Sequence, residues 1–110
     1  MKSRPHTSSP LATEAARLLG ARIRLARRER RWTLQELAER VGVTAVTLRK
    51  VERGDPTVRL GAAFEAAALT GVPLFHKDGV RRRLELERVE DRLAVLPKHV
   101  RRPTEVDDDF

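Results

Sequence analysis

The chain has 110 residues, which allows one small domain with extensions and a modest hydrophobic core. Its net charge of +7 suits a polyanionic partner, and the lack of cysteine excludes disulfides and thiolate metal sites. No apolar run has the length of a membrane span or resembles a signal peptide, so we expect a cytoplasmic protein without membrane contact.

The first predicted element is a long helix that follows a polar, flexible arm at residues 1–8. Ser9-Pro10 has the form of an N-cap with proline in the first helical position, and the helix should run to about Arg30. Arginines lie mostly on its outer face, as either a solvated surface or a flank that faces phosphates. The predicted buried residues are Leu11, Ala15, Leu18, Leu19, Ile23 and Ala26; the arginines are Arg22, Arg24, Arg27, Arg28, Arg30 and Arg31.

Two short helices joined by a tight turn are predicted next. Thr33 and Glu36 have the spacing of a capping box at the start of the first of them. Ala38 is small enough to let two helices cross closely, and Gly42 supplies the left-handed backbone that ends this helix. The apolar face that these features orient consists of Leu34, Leu37, Ala38 and Val41.

The second short helix starts at the N-cap Thr44, buries Leu48 and Val51, and ends at Gly54. Its outward residues are Thr44, Ala45, Val46, Thr47, Arg49, Lys50 and Arg53. Small side chains allow close approach to base edges, and long basic ones reach guanine acceptors or phosphates. A plain helical hairpin with a solvated basic face is the alternative, but the caps and the apolar register together favour a helix-turn-helix DNA reader.

The remaining elements are two helices and a tail. An alanine-rich helix should start at Pro56-Thr57 and end at Gly71, after which Val72, Leu74 and Phe75 pack on the core or on a second subunit. A charged helix from about Val80 to Leu96, ended by Pro97, has an apolar stripe that the domain or a partner chain must cover. That stripe consists of Leu84, Leu86, Val89, Leu93 and Leu96. We therefore divide the chain into a DNA-binding domain at residues 9–75, a C-terminal helix at 76–97 and a charged, flexible tail at 98–110.

With these residues placed, the chain resembles the phage-repressor and Cro-like, or Xre, family of helix-turn-helix regulators. The resemblance implies an all-α, lambda-repressor-like domain of about five helices that binds a palindromic operator on double-stranded DNA as a homodimer. It covers residues 19–74, about half of the chain. The matching motifs are Leu19-Gly20-x-x-Ile23, Arg27, Thr33, Glu36-Leu37-Ala38, Gly42-Val43-Thr44, Leu48, Val51-Glu52-x-Gly54 and Gly71-Val72.

The resemblance also assigns roles to single residues. It implies base reading by Ala45, Val46 and Lys50, a phosphate contact at Thr57 at the start of the fourth helix, and a partly buried ion pair between Arg27 and Glu52. The complete set of expected DNA-binding residues is Thr33, Gln35, Thr44, Ala45, Val46, Thr47, Arg49, Lys50, Arg53 and Thr57.

Two positions depart from the family pattern. Leu34 stands where the family often has a phosphate-binding glutamine, so that contact is either absent or made by Gln35. Arg31 replaces the usual turn glycine, which either strains the first turn or extends the first helix. The neighbouring Trp32 is expected to fill the core or the turn rather than to stack on bases.

A narrower resemblance links the chain to HipB-like antitoxins, the small Xre regulators that are paired with HipA-family kinase toxins. It implies a repressor of a type II toxin-antitoxin operon that also binds the kinase. A stand-alone Xre regulator without a toxin partner, and a protein-interaction module with a vestigial DNA-reading helix, are the alternatives. The residues that carry it are Gly54-Asp55-Pro56-Thr57-Val58, Leu96-Pro97-Lys98 and Val106-Asp107-Asp108-Asp109-Phe110.

We expect neither an enzyme nor a cofactor. The three histidines, His6, His76 and His99, fall in the arm, a turn and the tail. Their spacing suits neither a metal site nor a catalytic dyad, so each is expected to be a solvated side chain.

Overall fold

The computed structural model describes residues 8–100 and residue 102, and these form five α-helices. The helices are α1 (Pro10–Glu29), α2 (Leu34–Val41), α3 (Ala45–Arg53), α4 (Leu60–Thr70) and α5 (Gly79–Val95). The first four belong to one compact unit and α5 to a second, with the division between Leu74 and Phe75. The predicted all-α architecture is confirmed, whereas most of the predicted arm and most of the predicted tail lie outside the described residues.

The first three helices begin at their predicted caps. The Ser9 hydroxyl accepts the Ala12 N–H at 3.2 Å, and the Thr44 hydroxyl accepts the Thr47 N–H at 3.1 Å. The helix α2 begins with the complete capping box that its sequence predicts. These side chains satisfy amide donors that have no partner inside the helix, and this fixes where each helix starts.

The carboxylate of Glu36 closes the capping box by accepting the Thr33 N–H at 2.8 Å. This bond, followed by the Thr33 side chain, holds the pKa of Glu36 below its ordinary value of 4.5. A depressed pKa means that the bond stabilises the fold above pH 4.5 and that this stability is lost as the pH falls through the folded-state pKa.

Replacement of Glu36 by glutamine should therefore flatten the acid limb of the stability curve. The glutamine keeps an acceptor at this position, so stability at neutral pH should change little. Urea unfolding of both proteins between pH 6 and pH 3 measures this difference. An unchanged acid limb would contradict the role assigned to Glu36.

The fourth helix starts later than its sequence predicts, at Leu60 instead of Pro56-Thr57. The carboxylate of Asp55 accepts both the Thr57 N–H at 2.8 Å and the Thr57 hydroxyl at 2.6 Å. Such a bond from an aspartate to the backbone two residues on fixes a turn in place of a helical start. Thr57 therefore lies in the loop between α3 and α4.

The core of the first unit lies where α1, α2, α3 and α4 meet. Its fully enclosed members include Ala38, which is the small residue predicted at the helix crossing. Val72 is also buried and Leu74 is half-buried against this core, as predicted. The core residues are Ile23, Leu37, Ala38, Leu48, Val51, Ala63, Ala66, Ala67 and Val72.

The close approach of α1 to α3 depends on Gly20. A Cβ at this position would lie 2.4 Å from the carbonyl oxygen of Val51, inside any normal contact distance. Gly20→Ala should therefore lower the free energy of unfolding by about 1–3 kcal/mol, because overpacking outweighs the better helix propensity of alanine.

Gly61 provides the matched control for this substitution. It also lies in a helix, but a Cβ there would have no neighbour within 4 Å. Gly61→Ala should leave stability unchanged or raise it by up to about 1 kcal/mol. Equal effects of the two substitutions in denaturant unfolding would show that the crossing of α1 and α3 is not tightly packed.

The predicted buried side of α1 is partly wrong. Ile23 is buried and Leu19 and Ala26 are half-buried against the core, but Leu11, Ala15 and Leu18 are exposed. The helix has apolar residues on two faces, and only the face that carries Gly20 and Ile23 meets the other helices. With 20 residues, α1 is also longer than each of the other helices in this unit, α2, α3 and α4.

A residue other than glycine ends α1 in the left-handed region. Arg31 has a φ of 58°, and the N–H groups of Arg31 and Trp32 return to the carbonyls of Arg28 and Arg27 at 3.0 and 3.1 Å. This is the Schellman arrangement, which normally places glycine at this position. Of the two expected outcomes for Arg31, the strained turn is therefore confirmed and the longer helix is wrong.

Arg31→Gly should raise the free energy of unfolding by about 0.5–1 kcal/mol. Left-handed backbone costs an L-residue about 1–2 kcal/mol, and glycine removes this cost. The greater conformational freedom of glycine in the unfolded chain offsets part of the stabilisation. Arg24→Gly, the same change in the exposed interior of α1, should instead cost about 1 kcal/mol. Loss of stability in both variants would contradict strain at Arg31.

The second unit consists of α5 and the residues around it. The carboxylate of Asp78 accepts the Val80 N–H at 2.9 Å and caps the helix, whose bounds lie within one residue of the prediction. No residue of α5 is buried, and cover of its apolar stripe by the domain or by a partner chain remains a prediction. Phe75 has a φ of 68° and is 87% exposed, and its packing on the core or on a second subunit remains a prediction. Within the described ranges, no helix combines the length and apolar character that a membrane crossing requires.

Candidate nucleic-acid interface

The helix α3 presents one basic face to solvent. Leu48, Val51 and Glu52 are buried among the neighbouring helices. Arg49, Lys50 and Arg53 are exposed, and Val46 is 58% exposed. The structure thus places these four predicted site residues outward on the helix that the motif identifies as the reader.

The first turn of α3 differs from its prediction. Ala45 is half-buried against the core, because it precedes Leu48 by three residues and shares its side of the helix. Thr47 is half-buried and precedes the buried Val51 by four residues. The sequence predicts both residues as outward and the structure shows them only partly so, and Val46 is the most exposed apolar side chain of α3.

Two threonines at the start of α3 bond to each other. Thr44 donates its hydroxyl hydrogen to the Thr47 hydroxyl at 3.1 Å while it accepts the Thr47 N–H. Thr44 is therefore occupied as a cap, whereas the Thr47 hydroxyl keeps its own hydrogen for another acceptor. A phosphate oxygen beside α3 would be such an acceptor.

A groove beside α3 brings several of the predicted residues together. Thr44, Thr47 and Lys50 line one side of it, and Thr57 lines the other. Although Thr57 is not at a helix start as expected, the loop still places it on the same groove as the basic face of α3. The complete lining is Gly42, Val43, Thr44, Thr47, Lys50, Thr57, Val58 and Arg59.

Arg59 is a candidate contact that the sequence prediction missed. It is the exposed N-cap residue of α4 and adds a second cation to the groove that holds Lys50. The sequence predicts that α4 starts at Pro56-Thr57, and a helix with that start would include Arg59, so the prediction does not count Arg59 as a loop residue. The Asp55-x-Thr57 turn was the signal that could have identified Arg59 as a loop residue.

The predicted contacts at the start of α2 do not belong to this groove. Thr33 is exposed, and its hydroxyl accepts the Glu36 N–H at 3.0 Å. Gln35 is exposed, and its side-chain amide donates to the carboxylate of Glu39 at 3.3 Å. Phosphate contacts by Thr33 and Gln35 remain a prediction, and they would lie outside the groove beside α3.

The buried ion pair predicted between α1 and α3 is present. Nε and Nη2 of Arg27 donate to the two carboxylate oxygens of Glu52 at 2.6 and 3.0 Å, and Nη1 donates to the carbonyl of Trp32 at 2.8 Å. The side chains are 11% and 5% exposed. This paired geometry joins α1, the first turn and the end of α3, so it fixes how α3 is presented.

Trp32 fills the first turn, as predicted. Its indole is half-buried against the core, and the guanidinium carbon of Arg40 lies 4.4 Å from the ring centroid. Arg30 lies 5.7 Å from the same ring. Two cations near the ring give Trp32 a structural contact and leave it unsuited to stack on a base.

The electrostatics of the face are mainly positive, with one carboxylate at its edge. The Thr57 hydroxyl and then the Thr57 N–H hold the pKa of Asp55 below its usual value, and the nearby charges of Lys50 and Arg53 act in the same direction. Asp55 is therefore an anion at neutral pH that orders the loop. Its charge partly offsets the cations next to it and restricts where a phosphate can lie.

Two short helices that cross at a small buried residue, the second with an exposed basic face, define the helix-turn-helix class of DNA-binding unit. Residues 23–76 match the family model described as helix-turn-helix. This match, over just under half of the chain, supports a DNA-binding helix-turn-helix regulator of the Xre/Cro-like kind. Comparison with curated proteins and with solved structures gave no match. Among the described residues, no group of three or more histidines or carboxylates could hold a metal ion.

Proposed function

We propose that this protein is a transcriptional regulator, a sequence-specific repressor that binds a palindromic operator as a homodimer in the cytoplasm. The observation that carries the proposal is the outward face of α3 with Val46, Arg49 and Lys50, next to the groove that holds Thr57 and Arg59. A helix of this kind fits the major groove, and the loop beside it then lies along the phosphate backbone.

The two parts of this surface have different tasks in the proposal. Val46 contacts a thymine methyl, and Arg49 or Lys50 donates to guanine acceptors, so these residues select sequence. Thr57 and Arg59 bind phosphates, which positions the domain without selecting sequence. The buried Arg27–Glu52 pair keeps the first part oriented toward the bases.

A footprint on the protein's own promoter, followed by titrations of the protected site, tests the proposal. The logarithm of affinity should fall linearly with the logarithm of salt, with a slope of about −0.9 for each phosphate neutralised. The protected site should be a palindrome and should bind far more tightly than random DNA of the same length. Equal affinity for both would contradict sequence-specific repression.

We further propose that the protein is the antitoxin of a type II toxin-antitoxin pair and binds a HipA-family kinase. The support is the narrower sequence resemblance, which includes the turn at residues 54–58, the segment at residues 96–98 and the closing acidic segment at residues 106–110. A charged terminal segment that orders on a partner agrees with such a role.

Co-purification of the product of the adjacent reading frame with the full chain tests the antitoxin role. A chain that ends at residue 97 is the matched control, since it keeps all five helices. The full chain should retain a kinase and the shortened chain should retain less. A stand-alone regulator would retain no kinase, and its full and shortened chains would bind the operator equally.

A protein-interaction module would lose its function when the tail is deleted. The variants Arg49→Ala and Lys50→Ala would keep that function.

A further inference from the structure

A stripe of three leucines lies exposed along α1. Leu11, Leu18 and Leu25 are 75%, 51% and 60% exposed. They follow one another at intervals of seven residues, so they share one face of the helix over about 21 Å. Gly20 and Ile23, which meet the core, lie on the other side of α1.

The residues along this face are arranged symmetrically about Leu18. The other two leucines stand seven positions before and after it, and the alanines Ala15 and Ala21 stand three positions before and after it. Glu14 and Arg22 stand four positions before and after it, with opposite charges. A second copy of the same helix, turned by 180° about Leu18, therefore presents a complementary surface.

We propose that two copies of the chain associate through antiparallel pairing of their α1 helices, with the two-fold axis at Leu18. This pairing gives the proposed operator-binding dimer its interface. Leu11 of each copy then packs against Leu25 of the other, and Glu14 lies level with Arg22 of the other. The small side chains of Ala15 and Ala21 leave room for the helices to approach. Such a contact is isologous, and it closes as a dimer.

Charge selects the antiparallel arrangement over the parallel one. In a parallel pair each residue meets its own copy, so Glu14 would oppose Glu14 and Arg22 would oppose Arg22. Like charges at this spacing destabilise a helix pair, whereas opposite charges support it. The antiparallel pair has two opposite-charge contacts and keeps all six leucines in the interface between the two α1 helices.

Sedimentation equilibrium of the full chain, without DNA, tests the surface. The wild-type protein should sediment at twice 12.5 kDa, and Leu18→Glu, which sets two carboxylates together in an apolar seam, should weaken association by at least about tenfold. Leu18 is exposed, so circular dichroism should show an unchanged fold. The matched control is Leu86→Glu on α5, where the leucine is 57% exposed and dimerisation should persist. A monomeric wild-type chain, or dissociation by Leu86→Glu but not by Leu18→Glu, would overturn the proposal.

A charge exchange tests the orientation. Glu14→Arg and Arg22→Glu should each weaken association by several-fold, and the double exchange should restore it to within about threefold of the wild type. Failure of the double variant to recover would overturn the antiparallel pairing. The association assay contains no DNA, so a wrong interface shows in it alone. A wrong repressor assignment shows instead as equal affinity for operator and random DNA.

Discussion

Arg27→Ala should lower the free energy of unfolding by about 3–5 kcal/mol, because it leaves the Glu52 carboxylate buried without its partner. The guanidinium makes three hydrogen bonds, two to Glu52 and one to the carbonyl of Trp32, and all three are lost together. Small domains are stable by only about 5–15 kcal/mol, so this loss removes a large part of the stability of the fold. Urea unfolding followed by circular dichroism measures the loss.

Two further variants separate the cost of an unpaired buried charge from the loss of an arginine side chain in general. Arg28→Ala removes an exposed arginine from the same helix and should change stability by less than about 0.5 kcal/mol. The double change Arg27→Met with Glu52→Leu removes both charges and should recover most of the stability. If Arg27→Ala behaves like Arg28→Ala, the pair does not hold α1 to α3 as its geometry indicates.

The helix-turn-helix segment could be predicted closely because its signals are local. The capping side chains of Thr33 and Thr44 and the left-handed turns at Gly42 and Gly54 act over three or four residues. Such short-range chemistry needs no knowledge of the rest of the fold. The bounds of α2 and α3, and the face on which Leu48 is buried, follow from it.

The predicted elements differ from the structure at two kinds of place. In one, a local side-chain bond competes with helix formation; in the other, tertiary contacts decide which face of a helix is buried. The helix α4 starts later than predicted because the bonds between Asp55 and Thr57 stabilise a turn where the sequence predicts a helical start. The periodicity of an apolar helix does not show which of two apolar faces is covered, so it wrongly predicts that Leu11 and Leu18 belong to the core.

The candidate site was predictable in outline and not in detail. The outward basic side chains of Arg49 and Lys50 follow from the helical register, but the half-burial of Ala45 depends on its distance from Leu48 in the packed fold. Glu52 alone would be taken for a surface charge, and only the resemblance to a family paired it with Arg27. Its burial depends on a partner 25 residues away, which the sequence pattern does not specify.

Arg49→Ala and Lys50→Ala should each weaken binding to the operator by about 1–3 kcal/mol, the range for loss of a base contact. Both side chains are exposed on α3, so the fold should remain intact. Arg83→Ala, which removes an equal charge from α5 outside the helix-turn-helix unit, is the matched control for the loss of net charge, and an equal effect of this variant would show that net charge alone sets the affinity. Fluorescence anisotropy on operator and scrambled duplexes at several salt concentrations measures all three variants.

The comparison of the two duplexes decides what each side chain contacts. A base contact is lost only on the operator, so its removal should narrow the difference between operator and scrambled DNA. A phosphate contact is lost on both, and its removal should reduce the slope of the salt dependence by about one ion. Lys50 lines the groove that also contains Thr57 and Arg59, whereas Arg49 does not. We therefore expect the larger change in salt dependence for Lys50→Ala and the larger loss of discrimination for Arg49→Ala. The reverse order would place Arg49 on the phosphate backbone and Lys50 over the bases.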